Sequence, residues 1–291
     1  MELVRDPDVH ALMATIGGSN SSSMLPWLDF DEIRQQRKII CGYSDVTSLH
    51  LAIGAFARLS SFYGPAVMCW FGDWPEGCQR SRGWFLEAAM GHKAGARVVE
   101  APPEWSNHAR NWANGEWQTL ARKWTPSSGW QCFQPGKAVA PILAFNFNTL
   151  CAAAGTLYWP DLRGKILLLE DMDAPLSETE RQLRQLEYIG AFDELAGLIV
   201  SKPEFFKQQD APFGYWDLWR EVLGTRTYPI VTDFDCGHTL PMITIPQFAV
   251  VALVADSKKV EFQFLESATV AMPVDPKPPW RSAPTASSGI R

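Results

Sequence analysis

The sequence predicts an α/β protein of two domains, and three observations lead there. At roughly 150 residues per domain, a chain of 291 residues holds about two. Residues 38–65 run strand, turn, helix, strand, the order of α/β organisation. From Ala138 onward, apolar runs of strand length follow one another with an amphipathic helix among them. Composition agrees: 46% hydrophobic and 20% charged residues exclude a disordered chain, a collagen and a coiled coil. The 26 basic and 32 acidic residues leave a net charge of −6. No overall field therefore draws the chain to a nucleic-acid polymer or an anionic membrane.

Pro7 to Ile16 carries Val9, Leu12, Met13 and Ile16 at helical spacing, with Asp6 as N-cap and Pro7 at the first helical position. Gly17 to Ser23, two glycines followed by polar residues, reads as a loop. Asp29 to Gln36 reads as a helix and Lys38 to Cys41 as a strand. Gly42-Tyr43-Ser44-Asp45 is a turn, Val46 to Ala57 a helix, and Ser61 to Pro65 a strand leading into a loop. Residues 102–136 differ in character. Trp105, Trp112, Trp117, Trp124 and Trp130 lie there among four prolines, at spacings that fit neither helix nor strand. Such a stretch either packs its aromatics on the protein surface or forms a stacking wall for a flat ligand.

Beyond it, strands are predicted over 139–145, 166–169, 195–200, 230–232, 242–246, 248–253 and 260–264. Helices are predicted over Ser177 to Tyr188, with Ser177 as N-cap and Glu180 completing a capping box, and over Pro212 to Leu223. The tail 273–291, rich in Pro, Ser, Ala and Thr, is expected to be disordered. The N-terminus has neither the basic start nor the apolar stretch of a signal peptide, and no window reaches the roughly 18 apolar residues of a membrane span. Cys41, Cys69, Cys78, Cys132, Cys151 and Cys236 form no C-x-x-C pair. They read as reduced, mostly buried thiols in a cytoplasmic protein, and no structural zinc is expected.

Few residues offer chemistry. Of His10, His50, His92, His108 and His238, the last stands out, because it sits in a glycine-containing loop between two apolar strands. Ser44 follows a strand and precedes a helix, the logic of a nucleophile elbow, although Val46 stands where the second glycine of G-x-S-x-G would be. Read alone, Ser44 is a helix N-cap before it is a nucleophile. Glu170 ends the apolar run Ile166 to Leu169, where a carboxylate can orient an imidazole. Asp171 and Asp173 compete for that role.

Taken together and in order, these segments resemble the LD-carboxypeptidase family of serine peptidases. G-Y-S-D-V-T-S-L-H at Gly42 to His50 is similar to its nucleophile motif. Ile16-Gly17-Gly18 with Leu25-Pro26-Trp27-Leu28-Asp29 resembles its glycine motif and the segment after it. Tyr63-Gly64-Pro65, Leu168-Leu169-Glu170-Asp171 and Gly237-His238 match later motifs. The Trp-rich stretch and Gly155-Thr156-Leu157-Tyr158 lean toward the branch of microcin C self-immunity proteins. The resemblance covers residues 5–272.

It implies a Rossmann-like parallel sheet in residues 1–101, an insert over 102–136 and a β-rich α+β domain over 137–272. Family members carry on the order of 70 residues more before this chain's first residue (domain sizes), so the N-terminal sheet is expected to be partial. The resemblance assigns Ser44 as nucleophile, His238 as general base and Glu170 as the group that orients it. The oxyanion hole falls to the backbone of Asp45 and Gly18. Gly17, Trp105, Trp112, Trp117 and Asn146 are assigned to substrate, and Phe145 is expected to narrow the pocket. The implied substrate is a small peptide with a free carboxylate or an aminoacyl-nucleotide. A homodimer is implied, with no cofactor and no metal. The alternative is a non-catalytic relative that binds such a ligand without turnover, for want of the first strands of its sheet.

Overall fold

The structure is a computed structural model that describes residues 1–91 and 96–270; His92 and the tail expected to be disordered lie outside the described residues. In chain order, helix α1 (Glu2–Arg5) is followed by strand β1 (Ala11–Met13), α2 (Phe30–Gln36), β2 (Ile39–Gly42), α3 (Thr47–Ala52), β3 (Phe62–Tyr63), α4 (Gln79–Met90) and β4 (Arg97–Val99). Strands β5 (Glu104–Trp105) and β6 (Thr125–Pro126) flank the short α5 (Glu116–Thr119). Then come β7 (Gln131–Gln134), β8 (Gly136–Asn146), α6 (Phe147–Ala152), β9 (Ile166–Glu170), α7 (Leu176–Tyr188), β10 (Gly197–Ser201), α8 (Tyr215–Leu223), β11 (Ile230–Phe234), β12 (Ile245–Pro246), β13 (Val250–Ala255) and β14 (Val260–Phe264).

Two sheets carry the α/β fold. The smaller has the order β1-β2-β3-β12, parallel except where β12 runs against β3. The larger has the order β4-β14-β13-β8-β9-β10-β11-β7. Its centre, β8 to β11, is parallel and its flanks are antiparallel. Every residue of β9 and β10 is buried, as continuous apolar runs in a parallel sheet require. Alternate residues feed two cores. Leu143, Phe145, Leu167 and Leu169 face the side covered by Leu183, Leu186 and Trp219 of α7 and α8. Ile142, Ala144, Ile166 and Leu168 pack on the other face with Ile245 of the small sheet. Phe145 is thus 2% exposed in the core and does not narrow the pocket, because strand alternation turns it to the helix-covered face.

Several local expectations change. Pro7 to Ile16 is not a helix. The only helix there ends at Arg5, and Ala11–Met13 pairs in parallel with Ile39, Ile40 and Cys41. Three residues are too few for strand alternation to show against a chance helical spacing. Val46 to Ala57 divides into a tight 3₁₀ turn at Ser44–Val46, helix α3 and a π-helical turn at Ile53–Ala57. Helix α7 starts one residue before its expected cap: Pro175 is the N-cap, and the Ser177 amide donates to Gln209 Oε1 at 3.1 Å. A residue distant in sequence takes the capping role there. Strand β12 keeps only Ile245–Pro246 of the expected 242–246, and these residues join the small sheet.

Candidate active site

The carboxyl ends of parallel strands in both sheets converge, as ligand sites in α/β folds do. Strand β2 ends at Gly42, and Tyr43 continues in extended conformation. Ser44 then turns with φ 61°, a left-handed conformation that costs an L-residue about 1–2 kcal/mol and that concentrates at functional sites. Its side chain caps no helix, and the N-cap of the following turn is Tyr43, so the N-cap reading of Ser44 is overturned. Gly17 explains how close the glycine loop comes. A Cβ there would stand 2.9 Å from Ser44 Cβ and 3.0 Å from Ser44 Oγ. The loop is tied to the turn by Asp45, whose Oδ2 accepts from Ser21 N at 2.8 Å and Ser21 Oγ at 2.6 Å. Beneath lies His50, 1% exposed. Its Nε2 donates to the Gly42 carbonyl at 2.9 Å, and its Nδ1 accepts from Ser61 Oγ at 2.7 Å. Burial lowers its pKa to about 4, so this histidine is neutral and structural.

Glu170 closes β9 with its side chain fully buried and its Oε2 2.6 Å from His238 Nδ1. Oε1 accepts from the Tyr63 hydroxyl at 2.5 Å and from Asn146 Nδ2 at 2.9 Å. Asn146 sits in register with Glu170 on β8, and its Oδ1 caps α6 at Thr149 N. The tyrosine oxygen also accepts from Ser44 N at 3.1 Å, which links the serine turn to the carboxylate. Burial alone would raise the Glu170 pKa. The His238 ring, Tyr63 and Asn146 outweigh it and hold the carboxyl below its ordinary value. Burial alone would lower the His238 pKa, and the Glu170 carboxylate outweighs it, so the imidazole is raised. Gly237, at φ 153°, lets this contact form, because a Cβ there would stand 2.8 Å from Glu170 Cβ. Tyr43 packs edge-on to the imidazole with centroids 4.7 Å apart. Asp171 and Asp173 are engaged elsewhere, with Thr179 and Lys207 respectively.

Ser44 and His238 line one cavity of about 490 Å³. No hydrogen bond joins Ser44 Oγ to His238 among the described residues, and such contacts are often loose in unliganded sites. Gly17, Gly18, Trp112 and Trp117 line the same cavity, the two indoles stacked at 4.8 Å with planes 18° apart. Trp105 lies outside it, with Lys202 Nζ 5.8 Å from its ring centroid. Trp130 is core, donating to Asp235 Oδ2 at 2.9 Å. Trp112 and Trp117 are therefore cavity wall and Trp130 packing, while Trp124 is exposed and lines a neighbouring cavity. In the same wall, Asp73 pairs with Arg110 and, at 2.7 Å, with Arg122. Arg110 also donates to the carbonyls of Trp74 at 3.1 Å and Leu120 at 3.0 Å. Half-buried Glu204 faces the same space, its pKa raised by burial to about 7.

Comparison with known proteins fits this geometry. Residues 1–64 match the LD-carboxypeptidase N-terminal domain and residues 140–253 the LD-carboxypeptidase C-terminal domain. The microcin C7 self-immunity protein MccF of Escherichia coli is 34% identical over 260 residues, covering 89% of this chain and 75% of that protein. The chain belongs to the LD-carboxypeptidase family. A Bacillus subtilis family member named "Probable murein peptide carboxypeptidase" is 26% identical over 249 residues, covering 84% of this chain and 69% of that one. Solved structures of MccF superpose with a TM-score of 0.85 over 93% of this chain and 79% of theirs. The complex with aspartyl sulfamoyl adenosine is 32% identical to this chain and that with glutamyl sulfamoyl guanosine 31%. The sequence motifs mark Ser44, Glu170 and His238 within this LD-carboxypeptidase chain. They do not mark the hydrogen bonds of Tyr63 or the pairing of Asp73 with two arginines. Tyr63 carried a signal, the Tyr63-Gly64-Pro65 motif. Asp73 carried none, because its partners lie 37 and 49 residues away.

Proposed function

We propose that this chain is a serine hydrolase that cleaves either an amide next to a free carboxylate or the acyl linkage of an aminoacyl-nucleotide. The observation that carries this reading is the His238–Glu170 hydrogen bond opening onto the cavity where Ser44 stands on a strained turn. A serine hydroxyl is too weak an acid to attack at neutral pH without a base beside it. His238 Nε2 takes the Ser44 proton as Oγ adds to the carbonyl. Glu170 holds Nδ1 protonated and stabilises the imidazolium. The backbone N–H groups of Asp45 and Gly18 receive the oxyanion, each such donor lowering the barrier by about 3 kcal/mol. Collapse of the intermediate passes the proton from His238 to the leaving group. Water then attacks the acyl-enzyme with His238 again as base, regenerating Ser44.

Two ligand classes suit the site. The stacked Trp112 and Trp117 offer a face to a flat base, in keeping with the sulfamoyl nucleotides bound to MccF. A murein-type peptide is the second, in keeping with the name of the Bacillus subtilis relative. The test combines labelling by a serine-reactive fluorophosphonate with hydrolysis of an aminoacyl sulfamoyl adenosine and a murein tetrapeptide. Wild type is expected to be labelled and to cleave at least one substrate, and Ser44→Ala to do neither. Equal labelling of the two proteins, or ligand binding by folded wild type with no turnover, removes the hydrolase assignment in favour of a binding protein.

A further inference from the structure

Ser44 borders two cavities. Beside the aromatic one lies a second, of about 500 Å³, which shares Gly18, Ser44 and Met172 with the first. Its wall is of a different chemistry, with Ser22, Ser48, Asn148, Thr149 and Tyr158 among the residues that line it. No lysine, arginine or histidine lines it, and its two charged residues, Asp45 and Asp171, are both carboxylates. Asp171 is 5% exposed and accepts from Met172 N at 2.9 Å and from Thr179 Oγ1 at 3.2 Å. Burial, and then the charge of Glu170, raise its pKa to about 6, which leaves it mostly ionised at neutral pH.

A substrate attacked at Ser44 places its acyl part on one side of the serine and its leaving group on the other. The indole pair suits a planar leaving group, which leaves the second cavity for the acyl side chain. We propose that this cavity is the acyl subsite, and that it accepts polar uncharged and basic side chains and rejects acidic ones. The inference rests on the hydrolase reading above. An aspartyl or glutamyl side chain, the kind bound in the MccF complexes, would bring a carboxylate toward Asp171 with no cation in the wall to meet it. Juxtaposed like charges cost several kcal/mol when desolvated, whereas an amide or ammonium finds acceptors already in place.

Binding to Ser44→Ala reads the subsite without turnover. Affinities of glutaminyl, lysyl and glutamyl sulfamoyl adenosine are measured by calorimetry, with circular dichroism checking the fold. The glutaminyl and lysyl ligands are expected to bind at least about tenfold more tightly than the glutamyl one. Ala152→Lys on the same background supplies the missing cation. Ala152 lines the cavity and is exposed at the end of α6, where a positive charge suits the helix dipole. This change is expected to reduce the ratio to about threefold or less. Glutamyl binding equal to glutaminyl binding before Ala152→Lys overturns the inference, as does an unchanged ratio after it. If wild type fails to cleave ligands that Ser44→Ala binds in the expected order, the hydrolase reading falls and the subsite stands.

Discussion

At Ser44 a strained backbone and the proposed nucleophile occupy one residue. Its φ of 61° suits glycine better than any L-residue. Ser44→Gly is therefore expected to raise unfolding stability by roughly 0.5–1 kcal/mol while abolishing turnover, a trade checked by urea unfolding beside a rate assay. A loss of stability would show that the turn is not strained. His238 makes a second prediction. In the proposed mechanism it must be neutral to accept the Ser44 proton, and burial, which lowers its pKa, is outweighed by Glu170, which raises it. Activity is thus lost as pH falls, with the midpoint of the acid limb of kcat/KM above the 6.5 of free histidine. Glu170→Gln removes the charge that raises it and should move that midpoint down, with the rate reduced by as much as about 10⁴-fold. An acid limb that stays in place would separate His238 from the proton transfer.

Within the elements, polar groups buried under strand ends decide how the site is held. His50 on α3 ties the end of β2 to Ser61 as a neutral ring. Its pKa is about 4 when folded, lowered chiefly by burial, against about 6.5 unfolded. Between those values the unfolded chain binds the extra proton, so stability falls as pH drops from about 6.5 to about 4. The whole shift corresponds to about 3 kcal/mol. Urea unfolding at pH 7 and pH 5 should show the decline in wild type and a smaller one in His50→Gln. Identical slopes would remove His50 as the source. The motif around His50 was legible in sequence, but the partners of its ring were not, since Gly42 and Ser61 meet it only in the fold. The strand of Ala11–Met13 was illegible for a similar reason. Its conformation is set by pairing with Ile39–Cys41, and three residues of pattern do not outweigh a helical spacing.

Across the whole molecule, long-range contacts place the Trp-rich segment over the cavity. Asp73, with its side chain 7% exposed, receives both Arg110 and Arg122, and Arg122 Nη1 also donates to the His108 carbonyl at 3.2 Å. Asp73→Ala removes the buried carboxylate that both guanidinium groups share, an expected loss of about 3–5 kcal/mol measured by denaturation. The same variant should raise KM more than it lowers kcat for any substrate that reaches Trp112 and Trp117. A change in kcat alone would mean that the segment does not bind substrate. Of the five tryptophans, sequence offered a stacking wall and surface packing as alternatives, and the structure divides them, because side-chain direction depends on where the segment is anchored. By itself the sequence determined the α/β class, the run of apolar strands and the ordered motifs at Ser44, Glu170 and His238, since these rest on local pattern and chain order. Only the tertiary structure decided that Tyr63 and Asn146 share the Glu170 carboxylate, that β12 crosses into the small sheet, and that Ser44 borders two cavities of different chemistry. Those features arise where segments far apart in sequence meet, and local periodicity carries no record of such meetings.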